Sequence, residues 1–225
     1  DWLAELLQGA SERGLPERAR ALVTDYFGTV DNGQVFAQWA RRVLADNRQL
    51  EYWLDPVIGD THTGPYVEPA LEAVFREQLL PLATVVTPNA FELGRLTGMP
   101  ALEQDDAIAA SRKLLERGPE WVIAHSVSGD PNEKKTKTIG REQIWRWTSP
   151  HLPVDVAGTG DVLMSLLVAF LLKGHSFEDG VSRAIAGVHA ALEATLATGV
   201  EEFDVLAAAP AALGTPYRFR AERLA

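Results

Sequence analysis

The chain has 225 residues, 46% of them hydrophobic and 23% charged, a balance that supports a packed core and excludes a disordered chain. Acidic side chains outnumber basic ones by 31 to 21, a formal net charge of −10, which argues against nucleic acid and anionic membranes as partners. Cysteine is absent, so disulfides, thiolate zinc sites and a cysteine nucleophile are excluded, and a reducing, cytoplasmic setting is expected.

Residues 1–13 carry helical apolar spacing, and the chain opens inside that pattern with no methionine and no leader, so residues are expected to precede Asp1. Ala21-Leu22-Val23-Thr24 reads as a strand. Residues 33–46 read as a helix with Val35, Phe36, Trp39, Val43 and Leu44 on one face. Tyr52-Trp53-Leu54 is a second strand closed by Asp55-Pro56, 69–80 a helix ended by Pro81, and Thr84-Val85-Val86 a third strand closed by Pro88-Asn89. Helices over 90–97 and 104–117 follow, then a fourth strand, Trp121-Val122-Ile123-Ala124. The polar stretch Ser126 to Lys137 reads as a mobile loop, and Ile144-Trp145-Arg146-Trp147 as an edge strand. Long helices at roughly 160–173 and 177–197 and a short Ala-rich one at 203–213 precede a basic tail. The longest apolar run, Val162 to Leu172, is too short to span a bilayer and reads as a buried helix.

Strand alternating with helix predicts an α/β fold: a mostly parallel sheet with helices on both faces, in three layers. No repeat or composition break appears, so 1–225 is expected to be one domain. In open parallel sheets ligands sit beyond the carboxyl ends of the strands, which directs attention to the residues that follow them.

Three such segments stand out. Gly158-Thr159-Gly160-Asp161 runs into the apolar helix that starts with Val162. Its glycines allow close backbone approach, and a helix N-terminus favours an anion such as phosphate; the same residues also make a good helix cap. Asp55-Pro56-Val57-Ile58-Gly59-Asp60 places a carboxylate at a strand end, suited to a metal-bound nucleotide or to a plain Asp-Pro turn. In Thr87-Pro88-Asn89-Ala90-Phe91-Glu92-Leu93, Asn89 and Glu92 have capping-box spacing. None of the histidines, 62, 125, 151, 175 and 189, pairs at helical spacing for zinc. His125 ends the fourth strand and so lies on the ligand edge. Lys134, Lys135 and Lys137 read either as a solvated loop face or as a flap over phosphates, and the six tryptophans mostly as packing.

The three segments in this order resemble the ribokinase-like superfamily, and in particular its pyridoxal (pyridoxine, pyridoxamine) kinase branch. The run Asp55 to Asp60 with Gly64, Tyr66 and Val67, and the run Thr87 to Gly98, carry that likeness. It extends from the Tyr26-Phe27-Gly28 turn to the C-terminal helices. The resemblance implies ATP-dependent phosphorylation of the 5′-hydroxymethyl group of a B6 vitamer, a salvage reaction. It makes Asp161 the catalytic base and a substrate contact, with the amides of Gly158, Thr159 and Gly160 as the anion hole. Asp55, Thr87, Glu92 and His125 would bind ATP, and Asp55, Asn89 and Glu92 would hold magnesium, partly through water. A homodimer is implied. The branch begins with a strand–loop–helix that contacts the pyridine ring, and nothing here matches it, so a unit on the order of 30 residues or more is expected to be missing. Two other readings remain: a hydroxymethylpyrimidine kinase, whose relatives often carry cysteine where Asp161 stands, and a non-catalytic nucleotide- or pyridoxal-binding homologue.

Overall fold

The computed structural model describes residues 2–127, 130–154, 156–199, 205–214 and 218–225. Ser128 and Gly129 of the polar stretch, Asp155 before the glycine turn, and residues 203 and 204 of the expected last helix lie outside these. The chain forms two compact units: residues up to Val127 with Thr138–Gln143, and Ser128–Lys137 with Ile144–Ala225.

In the first unit, strands β1 (Ala21–Thr24), β2 (Glu51–Leu54), β5 (Val85–Val86) and β6 (Trp121–Val127) pair side by side in parallel. The hairpin of β3 (Gly59–Asp60) and β4 (Gly64–Pro65) lies between β2 and β5 in the chain. Helices α1 (Trp2–Glu12) and α2 (Leu15–Arg18) precede β1, and α3 (Val30–Asp46), α4 (Pro69–Val74), α5 (Ala90–Thr97) and α6 (Gln104–Leu115) supply the crossovers. Parallel strands need such crossovers because a tight turn cannot reverse direction twice. Thr29 caps α3 by accepting the Asn32 amide at 3.2 Å. An aromatic cluster then fills the space under that helix. Phe36 meets the rings of Phe27, Trp39 and Tyr52 at 5.3, 5.9 and 5.6 Å, and Phe27 meets Phe75 at 5.8 Å. Tyr52 is fully buried, and its hydroxyl shares a 2.8 Å hydrogen bond with Thr24 Oγ1, as a buried phenol requires.

The helix expected over 69–80 changes pitch. After α4 the chain makes a π turn, Phe75–Leu79, and a 3-10 turn, Leu80–Leu82. Pro81 lacks the amide needed to continue an α-helix, and the widened turn buries both Phe75 and Leu79. Trp2 departs from the packing expectation for tryptophans, with 76% of its surface exposed, whereas Trp39, Trp53 and Trp147 are buried.

The expected loop from Ser126 to Lys137 is largely strand. β6 continues to Val127, and β7 (Glu133–Ile139) begins four residues before Lys137. Lys137 is fully buried, and Lys134 and Lys135 are half-buried, so these lysines do not form a solvated basic face. The signal was present in Lys-Thr-Lys-Thr-Ile, whose β-branched residues alternate at the strand period.

In the second unit, β8 (Ile144–Pro150) pairs antiparallel with β9 (Glu222–Arg223). The expected edge strand therefore has a further strand beside it, and part of the basic tail supplies that strand. Arg223 lies over the Trp145 ring at 5.7 Å. Helix α7 (Thr159–Leu172) packs on α8 (Phe177–Thr198), which also contacts α9 (Val205–Gly214) and β8. Trp147, 1% exposed, donates through Nε1 to the buried Ser182 Oγ at 2.7 Å. The fold is thus α/β, with strands that pair mostly in parallel, and no helix among the described residues is long and apolar enough to cross a membrane.

Replacing Trp147 with Phe strands the Ser182 hydroxyl in the core. Stability should fall by about 1–3 kcal/mol, read as a lower urea midpoint, while Trp2→Phe leaves the midpoint within about 0.5 kcal/mol of the parent.

Candidate active site

In the first unit the strand register brings the expected nucleotide residues to one end of the parallel strands. Leu54 stands opposite Val86, and Val86 opposite Val122. Beyond these pairs the chain leaves β2 at Asp55 and β5 at Thr87, and an isolated parallel bridge joins Asn89 to His125. Asp55, Thr87, Asn89, Glu92 and His125 therefore share the carboxyl edge. The Asp55 amide donates to Thr24 O at 2.9 Å, the Thr87 amide to Leu54 O at 3.0 Å and the His125 amide to Pro88 O at 3.1 Å. Main-chain bonds thus continue the ladder one step past the strands and hold these side chains on rigid backbone. His125 lies within β6 rather than at its end, because that strand runs three residues further than its apolar core suggested. The next residue, Ser126, has φ 55, a left-handed conformation rare outside glycine.

Burial divides this group. Asp55 is 4% exposed and Thr87 1%. Among the described residues Thr87 Oγ1 has no hydrogen-bond partner; a stranded buried hydroxyl costs about 1–3 kcal/mol. Glu92 is 3% exposed. Its Oε1 accepts the Ile58 amide at 3.0 Å and its Oε2 the Asn89 amide at 2.9 Å, while the Gly59 backbone also donates to it. Asn89 in turn accepts the Glu92 amide at 2.9 Å and donates through Nδ2 to Gly59 O at 2.8 Å. The expected capping box is present, and it also grips a loop some 30 residues upstream in the chain.

Magnesium usually takes one or two protein carboxylates and completes its shell with water and phosphate oxygens. Asp55 with Asp60, at the two ends of one turn, is a donor set of that kind; among the described residues no three metal-ligating side chains gather into a cage. Asp55 and Asp60 are thus the carboxylates of this segment that would hold magnesium, water and nucleotide phosphates completing its shell. Asn89 and Glu92, expected as further holders, turn their polar atoms to backbone partners instead.

In the second unit, Gly158 caps α7 at φ 90, a conformation in which a side chain would be strained. The first helical bond runs from the Val162 amide to Gly158 O at 3.1 Å. The amides of Thr159 and Gly160 lie ahead of it, at the positive end of a 14-residue helix. Asp161 sits in the first turn, exposed, with Oδ2 3.8 Å from where a Cβ on Gly158 would stand. Backbone amides and a carboxylate thus face the same space, an arrangement able to hold an anion and accept a proton.

Burial pushes the Glu92 carboxyl up to about 7 from the ordinary value near 4.5, against the lowering effect of its backbone donors and with a small upward push from Asp60. The folded state therefore holds this proton more tightly than the unfolded chain. The resulting stabilisation is complete below about pH 4.5, is lost as pH rises through about 7, and is on the order of 3 kcal/mol. Urea unfolding between pH 5 and 8 should show a decline in the parent that Glu92→Gln flattens; equal pH slopes in the two proteins would exclude the effect.

A family model described as phosphomethylpyrimidine kinase matches residues 27–205. The chain is 35% identical over 227 residues to the pyridoxal kinase PdxY of Rubrobacter xylanophilus, an alignment covering 99% of this chain and 78% of that relative. The pyridoxal kinase of Entamoeba histolytica superposes with a TM-score of 0.90 at 24% identity, covering 98% of this chain and 78% of that one. The pyridoxal kinase of Leishmania donovani in complex with ADP and pyridoxamine gives 0.86 at 21% identity, covering 98% and 80%. The two structures establish the shared fold. Together with the extent of the family match and the curated relative, they place this chain in the pyridoxal kinase family of the ribokinase-like superfamily.

Proposed function

We propose that the chain is an ATP-dependent kinase that transfers the γ-phosphoryl group to the 5′-hydroxymethyl group of pyridoxal, pyridoxine or pyridoxamine, in vitamin B6 salvage in the cytoplasm. The observation that carries this reading is the N-terminus of α7, where the left-handed Gly158 opens a row of amides beside the exposed Asp161 carboxylate. The Rubrobacter pyridoxal kinase and the Leishmania complex with ADP and pyridoxamine support the substrate class. The family match, which runs from 27 to 205 and so enters both compact units, supports one three-layer kinase domain with helices on both faces. Homodimerisation is part of the same reading.

Phosphoryl transfer depends on positioning and charge stabilisation more than on covalent chemistry. Asp161 accepts the hydroxyl proton as the substrate oxygen bonds to phosphorus and the bridging oxygen leaves with ADP. The amides of Gly158, Thr159 and Gly160 and the positive end of α7 stabilise charge on the transferred oxygens. Asp55, Thr87 and His125 serve the nucleotide at the strand ends, with Asn89 and Glu92 behind them. Asp55 would hold magnesium, which would supply charge neutralisation for the phosphates, while Asn89 and Glu92 fix the loop that carries Asp60.

The phosphomethylpyrimidine description of the family model keeps hydroxymethylpyrimidine as the competing substrate. Turnover of pyridoxal should exceed that of hydroxymethylpyrimidine by at least about tenfold, since a site built for one ring's polar groups leaves them unpaired with the other; the reverse ratio would overturn the vitamin B6 assignment.

Asp161→Asn keeps size and capping ability but removes the proton acceptor. Turnover should fall roughly 10²–10⁴-fold, with ATP affinity and thermal midpoint nearly unchanged because Asn and Asp cap helices about equally well. Near-parental turnover in this variant would reduce Gly158-Thr159-Gly160-Asp161 to a helix cap.

A further inference from the structure

We propose that Glu92, together with Asn89, is a positioning residue: it clasps the Asp55–Asp60 turn to the start of α5 and so sets the separation of the two carboxylates at the ends of that turn. The inference rests on the kinase reading for the use of those carboxylates, but the clasp itself is a matter of geometry.

Four polar contacts converge on two residues of the turn. Glu92 Oε1 takes the Ile58 amide, the Gly59 backbone donates to the same carboxylate, and Asn89 Nδ2 holds Gly59 O at 2.8 Å. From the other side Ile58 O accepts the Tyr66 amide at 2.7 Å, tying the turn to the far arm of the hairpin. Ile58 is fully buried. At Gly59 the packing leaves no room: a Cβ there would stand 2.3 Å from Gly64 O, 2.7 Å from Pro65 Cα and 2.9 Å from the Phe91 ring. Phe91 belongs to α5, so the helix that supplies the clasp also walls the glycine in. Asp60 follows directly, half-buried and oriented by accepting the His62 amide at 2.8 Å.

A ligand to metal or phosphate needs an oxygen turned toward the ligand. Both Glu92 oxygens are turned to main-chain amides in a site almost closed to solvent. Asn89 has both ends of its amide engaged. A buried acceptor set of this kind fixes a loop, because releasing any donor leaves it unsatisfied away from water. Asp55 and Asp60 are left as the acidic groups of the segment, held at the two ends of a turn whose middle cannot move.

The test compares Glu92→Gln, Asn89→Ser and Gly59→Ala with the parent and with Asp55→Asn. Asn89→Ser keeps the helix cap and loses only the donor to Gly59 O; Gly59→Ala forces the turn open without touching a polar side chain. Amide hydrogen exchange across residues 58–66, measured without nucleotide or magnesium, should accelerate roughly tenfold or more in the first three variants, as expected when a local closing contact is lost. Asp55→Asn should leave it near the parent rate. With ATP and magnesium, the three clasp variants should raise the KM for ATP and the half-saturating magnesium concentration by similar factors, about tenfold, and Asp55→Asn should raise the half-saturating magnesium concentration without the change in exchange.

Unchanged exchange at 58–66 in Glu92→Gln would overturn the proposal. So would a roughly tenfold rise in half-saturating magnesium in Glu92→Gln with a normal value in Gly59→Ala, the signature of a ligand. If Glu92→Gln does not fold, Asn89→Ser and Gly59→Ala decide, and a protected hairpin in both rejects the clasp. Absence of ATP-dependent pyridoxal phosphorylation by the parent would remove the kinase reading while leaving the exchange result to stand alone.

Discussion

The first unit is organised around a carboxyl group placed where water barely reaches. Burying Glu92 disfavours its charged form, and in isolation that would be a costly defect. The cost is offset by backbone amides from two separate segments, Ile58-Gly59 and Asn89, that converge on it. Those amides would otherwise be orphans themselves: one belongs to the cap of α5, and the others to a turn too cramped for water. The start of α5, the exit from β2 and the β3–β4 hairpin are therefore mutually dependent. None of the three is satisfied without the other two.

This dependence makes the two helix starts in the site residues unlike each other. A helix N-terminus attracts negative charge. At α5 the charge is supplied by the helix's own third residue, with Asn89 completing the reciprocal cap. At α7 the cap is Gly158, which carries no side chain, and although Asp161 holds the same third position no side-chain cap bond is formed there. The same helix position thus carries a carboxylate closed into a buried cap at α5 and an exposed one at α7. That difference leaves the Asp161 carboxylate open to solvent, whereas that of Glu92 is committed to main-chain amides.

Family membership fits this division. The relatives named pyridoxal kinase share the fold across nearly the whole chain, and the residues that carry the likeness are those the strands deliver to their carboxyl ends. Parallel strands place every exit turn on one side, so chemistry can be distributed over several short segments distant in sequence. Asp55, Thr87 and Asn89 are each within three residues of a strand terminus. Their positions are consequently set by ladder hydrogen bonds that do not depend on what the side chains do.

Much of this was legible in the residues. Apolar runs of three or four with polar punctuation marked β1, β2, β5 and β6, and helical spacing marked α3, α5, α7 and α8, because burial on one face imposes those periods locally. The capping box and the glycine turn before Asp161 were legible for the same reason: each is closed within a few residues. What the tertiary structure decided was non-local. Lys-Thr-Lys-Thr-Ile looked polar until its neighbours buried Lys137, and the tail looked like a tail until β9 found β8. Glu92 read as a capping residue with a further role toward metal; the packing of Phe91, Gly64 and Pro65 around Gly59 brought the turn against α5 and directed its carboxylate to main-chain amides. Spacing along a chain determines which element a residue belongs to, whereas the partners of a buried polar atom depend on which distant segments packing brings within about 3 Å.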